Sequence, residues 1–151
     1  MRVTLHTDYA LRMLMLLASE PGELHTIEEV STRYGISRNH RMKVAQTLVQ
    51  GGFVESVRGR SGGLRLRRRP QEINLGAVIR TTEDGFNLVE CFDKESNTCV
   101  ISSACGLRGP MEEALAAFLG VLDRYTLADL IKNPGRLRRM RQLLHQEAEA
   151  V

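Results

Sequence analysis

From residue 7 to 19 the chain reads TDYALRMLMLLAS, apolar on most sides of a helical period, with Tyr9, Met13, Leu16 and Leu17 at helical spacing. The pattern predicts a first helix that is largely buried. Asp8 stands near its start, where a carboxylate is favourable against the helix dipole and suits a cap. Pro21-Gly22 then breaks the chain. Thr26 and Glu29 have capping-box spacing for a helix through Tyr34 with Ile27, Val30 and Tyr34 on one face, and Gly35 ends it. Ile36 is an apolar turn residue. Ser37 is the expected cap of a second helix, Arg38 to Gln50, with Met42, Ala45, Leu48 and Val49 expected to face inward. After Gly51-Gly52 the period changes to two: residues 53–57 (FVESV) and 63–67 (GLRLR) predict two strands joined by the glycine-rich turn 58–62 (RGRSG).

Helix, glycine turn, helix, hairpin is the plan of a winged helix-turn-helix, in which the second helix enters the DNA major groove by its N-terminal end. Charge supports that reading. Residues 1–70 hold 12 Lys and Arg against 6 Asp and Glu, whereas residues 71–151 hold 9 against 12, leaving a net +3 for the 151-residue chain. The basic half predicts a polyanion-binding face. Six arginines and one acid, Glu55, fall within 53–70, and a solvated surface would more usually mix both signs. Candidate contacts to double-stranded DNA are Ser37, Arg38, Asn39, His40, Arg41 and Lys43 on the helix, and Arg58, Arg60, Ser61 and Arg65 on the wing. Arg38 and Asn39 suit base edges, the wing-tip arginines phosphates or the minor groove.

Beyond Pro70, Leu75 to Thr82 predicts a short helix, and residues 83–109 carry no period. Pro110 suits the first turn of another helix in which Met111, Leu115, Phe118, Leu119 and Leu122 share one face, free to pack on their own domain or on a second copy. Thr126 with Asp129 caps a further short helix. The tail from 134 to 151 is amphipathic and arginine-rich, with an end expected to fray. No apolar run is long enough to span a bilayer and the N-terminus lacks a signal-peptide pattern, so a soluble, cytoplasmic protein with no membrane partner is expected.

The unpatterned stretch holds all three cysteines, Cys91, Cys99 and Cys105, in the spacing C-x7-C-x5-C. That is too loose for the paired knuckles of a zinc ribbon and easier for an iron–sulfur cluster wrapped by a loop. Clusters take four ligands as a rule, so one ligand must come from elsewhere. A redox dithiol pair and inert core thiols are the alternatives, the latter disfavoured by the polar neighbours from Asp93 to Asn97. Four dispersed histidines and the lack of a nucleophile–base pairing argue against an enzyme.

Several segments together carry a resemblance: TDYALRML, YGISRNHRMKV, VRGRSGGLRL, the three cysteines, and AFLGVLDRYTLADL. They resemble the cytoplasmic iron–sulfur transcription regulators, the family that includes the nitric-oxide-sensing repressor NsrR, the cluster-biogenesis regulator IscR and the iron regulator RirA. The resemblance covers most of the chain. It implies a winged helix-turn-helix with a cluster loop, and a homodimer paired through the long helix after the cysteines. IscR-like members carry a histidine three residues after the last cysteine, where this chain has Arg108. NsrR-like members have an aspartate near the N-terminus, and Asp8 stands in that place; the family implies that it reaches the cluster from the partner subunit. Residues 82–86 and 90–92 resemble RirA, and the first cysteine spacing is longer than in many NsrR-like chains.

The expectation is therefore a mainly α fold with a small β-hairpin. Residues 1–82 form the DNA-binding domain, 83–109 the cluster loop, and 110–151 the dimerisation helix and C-terminal helical segment. The expected function is a dimeric repressor whose 4Fe–4S cluster, or alternatively a 2Fe–2S cluster, senses nitric oxide and releases operator DNA. An iron- or oxidative-stress-responsive regulator is the alternative within the class, and an electron-transfer or cluster-carrier protein the one outside it.

Overall fold

Thr4 starts the first helix, its Oγ1 accepting from the Thr7 amide at 3.2 Å, and Asp8 falls one turn in rather than at the cap. A computed structural model describes residues 2–149, leaving out the side chains of Arg38, Asn39 and 147–149; positions 150 and 151 of the expected fraying tail lie outside the described residues. In chain order the helices are α1 (Leu5–Ser19), α2 (Ile27–Tyr34), α3 (Arg38–Gln50), α4 (Leu75–Thr82), α5 (Arg108–Leu122), α6 (Leu127–Ile131) and α7 (Pro134–Glu149). Between α3 and α4 lies one antiparallel hairpin, β1 (Val54–Val57) and β2 (Gly63–Leu66). None of the described helices is long and apolar enough to cross a membrane.

α1 is apolar on most sides because it is packed on most sides: α2, α3, α4, α6 and β2 all contact it, Ala10, Met13, Leu14 and Leu16 are wholly buried, and Leu5 and Arg12 stay exposed. α2 opens on the expected capping box, with Thr26 Oγ1 accepting from Glu29 N and the Glu29 carboxylate accepting from Thr26 N at 2.7 Å. It ends at Gly35 (φ 62), a left-handed cap that a side chain would strain. Ile36 then tucks into the core.

α3 departs from expectation in two places. Ser37 occupies the cap position but makes no capping bond; its hydroxyl pairs with His40 Nδ1 at 2.7 Å. Met42 is 57% exposed, while Val44, Ala45 and Leu48 are buried and Val49 packs against the core. The residue before Met42, Arg41, is the one whose side chain lies against α2, donating to Ser31 and Glu28.

In the hairpin Glu55 faces Arg65 and Val57 faces Gly63. His25 adds a one-residue bridge to β2 through mutual backbone bonds with Leu64 (3.1 and 2.7 Å), so the wing is anchored to the segment before α2. The tip needs glycine. Gly59 has φ 122, and a Cβ on Gly62 would strike the Val57 carbonyl.

Asn74 caps α4 and also donates to the Asp123 carbonyl at 2.7 Å, while Arg80 grips Asp123 through two bonds of 2.6 and 2.8 Å. That pairing holds the Asp123 carboxyl below its usual range and fastens the far end of α5 to α4. α5 itself begins two residues before the expected Pro110 and has no buried residue. Thr126 donates to Asp129 as expected, and α7 packs against α2 and α6 with Leu144 buried.

Candidate metal centre and nucleic-acid interface

Residues 83–107 contain one 3-10 turn, Glu90–Phe92, and are otherwise shaped by short side chains that bond nearby backbone. Glu90 accepts from both the amide and the hydroxyl of Thr98 (2.6 Å each). Asp93 accepts from Ser96 and the Glu95 amide, and Asn97 from the Cys99 amide. Thr98 and Ser96 hold these two carboxyls below their ordinary range, so they stay charged and keep the folds of the loop closed. The outcome is convergence: Cys91, Cys99 and Cys105, all free and half-buried, line one cavity of ≈ 240 Å³ with Val89, Glu90, Ile101, Leu107 and Arg108.

The donor set fits a polynuclear iron–sulfur group. Soft thiolates select such clusters, and the apolar Val89, Ile101 and Leu107 limit solvent around them. Among the described residues the three sulfurs do not all fall within 4.8 Å of one another. A single tetrahedral zinc, with Zn–S of about 2.3 Å, would bring its sulfurs to about 3.8 Å. Every lining residue lies between 89 and 108.

Asp8 is elsewhere in this chain. It pairs with Arg12 at 2.6 Å on α1. Arg12 lies over the Tyr9 ring, Tyr9 meets His40 edge-to-face with centroids 5.8 Å apart, and His40 holds Ser37. A continuous set of contacts thus joins Asp8 to the head of α3. The same first turn is tied to the start of the cysteine loop, by Thr4 N donating to Glu83 at 2.8 Å and by the buried Thr7–Thr82 hydroxyl pair at 2.9 Å. His6 bridges to Thr47 of α3; burial, helped by the charge of Lys43, lowers its pKa. The Asp8–Arg12 pair has a legible i,i+4 spacing. Nothing in the sequence marks the meeting of Tyr9 and His40, 31 positions apart.

On the candidate nucleic-acid face Ser37, His40 and Lys43 are exposed at the head of α3, and the side chains of Arg38 and Asn39 lie outside the described ones. Arg41 is turned inward, donating to Ser31 Oγ at 2.7 Å and Glu28 at 3.3 Å. On the wing Arg58, Arg60 and Ser61 are exposed. No ion pair engages either arginine among the described residues. Arg65 is spent on its cross-strand partner Glu55 at 2.6 Å.

A glycine-turned helix pair, a basic wing and a three-thiol cavity define a DNA-binding regulator with a candidate metal centre. The chain belongs to the Rrf2 family, described as "Iron-dependent Transcriptional regulator", which it matches over residues 3–133. It is 56% identical over 134 residues to the "HTH-type transcriptional regulator NsrR" of Bacillus subtilis, covering 88% of this chain and 92% of that one. Its fold is similar to that of T. potens IscR (TM-score 0.70, 26% identity, 87% of each chain). It is also similar to CymR of B. subtilis, "the Global Cysteine Regulator" (TM-score 0.65, 23% identity, 87% of this chain and 97% of that one). Membership makes this chain a transcription regulator rather than an enzyme, and it sets aside the electron-carrier alternative.

Proposed function

We propose that the chain is a homodimeric repressor that holds an iron–sulfur cluster of the 4Fe–4S type on Cys91, Cys99 and Cys105, takes Asp8 of the partner subunit as fourth ligand, and releases operator DNA in response to nitric oxide. The observation that carries this reading is the convergence of three thiols on one apolar-walled cavity, in a chain 56% identical to a regulator named NsrR. In this reading residues 1–82 bind DNA, 83–109 hold the cluster and 110–151 pair the chains. The apolar stripe of α5, half-buried at Met111, Leu115, Phe118, Leu119 and Leu122, supports pairing, as does the cavity of ≈ 500 Å³ that opens beside Met111, Leu115 and Phe118. Ser37, Arg38, Asn39, His40, Arg41, Lys43, Arg58, Arg60, Ser61 and Arg65 form the DNA face, with Arg41 and Arg65 acting as braces within it.

Cys91, Cys99 and Cys105 would hold the cluster, and its chemistry there would be to offer iron open to nitric oxide. The three thiolates anchor it, and Asp8, a hard ligand on soft iron, is the one most readily displaced. Arg12 offers the released carboxylate a partner at 2.6 Å, the arrangement seen in this chain. A shift of α1 on release is felt at His40 through Tyr9, and so at the head of α3. Loss of repression needs the two states to differ in operator affinity by ~1–3 kcal/mol.

Any one of Cys91→Ala, Cys99→Ala or Cys105→Ala is expected to abolish stable cluster assembly while leaving a folded dimer; full iron retention in Cys99→Ala would remove that residue from the site. The functional test is an anaerobic gel shift with stepwise nitric oxide beside an iron chelator. Loss of binding at low nitric oxide, before chelation strips the iron, is the expected result. Because the family is described as iron-dependent, an iron-responsive regulator is the second reading. Binding that ignores nitric oxide but follows iron removal would establish it.

A further inference from the structure

Where α1 ends, the chain reads Glu20-Pro21-Gly22-Glu23-Leu24-His25. Gly22 (φ 87) and the bond from Glu23 N to the Glu20 carbonyl (3.3 Å) fold this turn so that Glu23 returns over Glu20. His25 is pinned by its two backbone bonds to Leu64 and is 3% exposed. One ligand atom from each of Glu20, Glu23 and His25 lies within 4.8 Å of the other two. We propose that these three residues form a binding site for a divalent ion of the zinc type, separate from the cysteine cavity and independent of the reading given for it.

The independent observation is His25 Nε2, a buried nitrogen with no hydrogen-bond partner. It sits 3.2 Å from Glu20 Oε2, yet that oxygen is off the line of a ring N–H. Two ligands of one ion stand in this relation: metal–N and metal–O bonds of about 2.1 Å at about 90–109° put the ligand atoms about 3.0–3.4 Å apart, neither aimed at the other. A cavity of ≈ 270 Å³ bounded by Glu20, Pro21, Glu23, Arg141 and His145 opens beside the two carboxylates.

Neighbouring charges decide which ion. Arg33 donates to both oxygens of Glu20 (3.0 and 2.9 Å), Arg141 Nε is buried nearby without a partner, and His145 Nε2 stands 3.7 Å from Glu20 Oε1. Two guanidiniums disfavour a cation held by charge alone, which counts against magnesium and calcium. An ion that bonds imidazole directionally keeps its advantage. A carboxylate has about four acceptor positions, so Glu20 can bind the ion and still be oriented by Arg33.

The test uses the full-length apo chain with its three thiols alkylated, titrated with zinc alone against a chromophoric chelator. One zinc per chain is expected, with affinity reduced at least about tenfold in both His25→Gln and Glu23→Gln. Because His25 is buried, Glu23→Gln is the safer variant: Glu23 is exposed and has no ion pair among the described residues, so its zinc-free melting temperature should match the wild type's. Zinc should raise the wild-type melting temperature and, at the same concentration, raise that of Glu23→Gln less. Absence of zinc uptake by the thiol-blocked chain, or wild-type affinity in both variants, overturns the site and leaves His25 and Glu20 as a polar contact only. Competition by equimolar magnesium overturns the choice of ion.

Discussion

Arginines of the DNA-binding half illustrate how position decides what one residue type does. Arg41 is 13% exposed at its side chain and braces α2 against α3, whereas Arg58 and Arg60 stand open at the wing tip. Replacing Arg41 by Ala should lower unfolding free energy by about 1–2 kcal/mol, mainly through the lost Ser31 bond and packing, since Glu28 is largely solvated. The slope of log K against log salt for DNA should be unchanged. Arg60→Ala should do the reverse: stability within about 0.5 kcal/mol of wild type, and a slope flatter by about 2 for a dimer that loses one phosphate contact per subunit. Urea unfolding and salt-titrated binding measure the two effects. A flattened slope for Arg41→Ala, or an unchanged one for Arg60→Ala, would reverse these roles. The sequence showed a basic edge here but not which arginine is spent internally, because Arg41 finds partners 10 and 13 residues away.

Among the elements, the wing is the one whose shape depends most on single residues. A methyl on Gly62 would meet the Val57 carbonyl and the Gly59 carbonyl at once, so the turn must open. Gly62→Ala is expected to cost about 1–3 kcal/mol in stability and to weaken DNA binding by displacing Arg58 and Arg60, while iron loading of the cysteine cavity stays at the wild-type level. Parallel thermal melts, gel shifts and iron analysis would check it; unaltered DNA affinity would mean that the tip is not a contact. Local signals were legible at this scale. The capping box of α2, its glycine stop, the span Leu75–Thr82 of α4 and the glycine-rich turn of the hairpin all rest on neighbours a few residues apart. The missing cap at Ser37 and the exposed Met42 were not legible: the Ser37 hydroxyl is taken by His40, a competition the capping pattern does not resolve, and the side chain that meets α2 is Arg41, through partners on another helix.

For the whole molecule the outstanding feature is a 15-residue helix with no buried residue, α5, carrying Met111, Leu115, Phe118, Leu119 and Leu122 along one face. Because the chain's own core does not need these residues, Phe118→Glu should leave the far-ultraviolet circular dichroism and the melting of the DNA-binding part intact while converting a dimer to monomer in light scattering. Operator affinity should then fall, since two half-sites are no longer engaged together. A dimer that survives this change would place the pairing surface elsewhere.

The sequence by itself determined the element order, the basic wing and the clustering of three thiols in an unpatterned loop, because periodicity, capping and composition act over a few residues. Only the tertiary structure decided that Cys91, Cys99 and Cys105 share one cavity, that Asp8 lies on α1 paired with Arg12, and that Glu20, Glu23 and His25 meet beside the wing. Those are distances between side chains set by loop turns and by what packs against them, and no residue period encodes them.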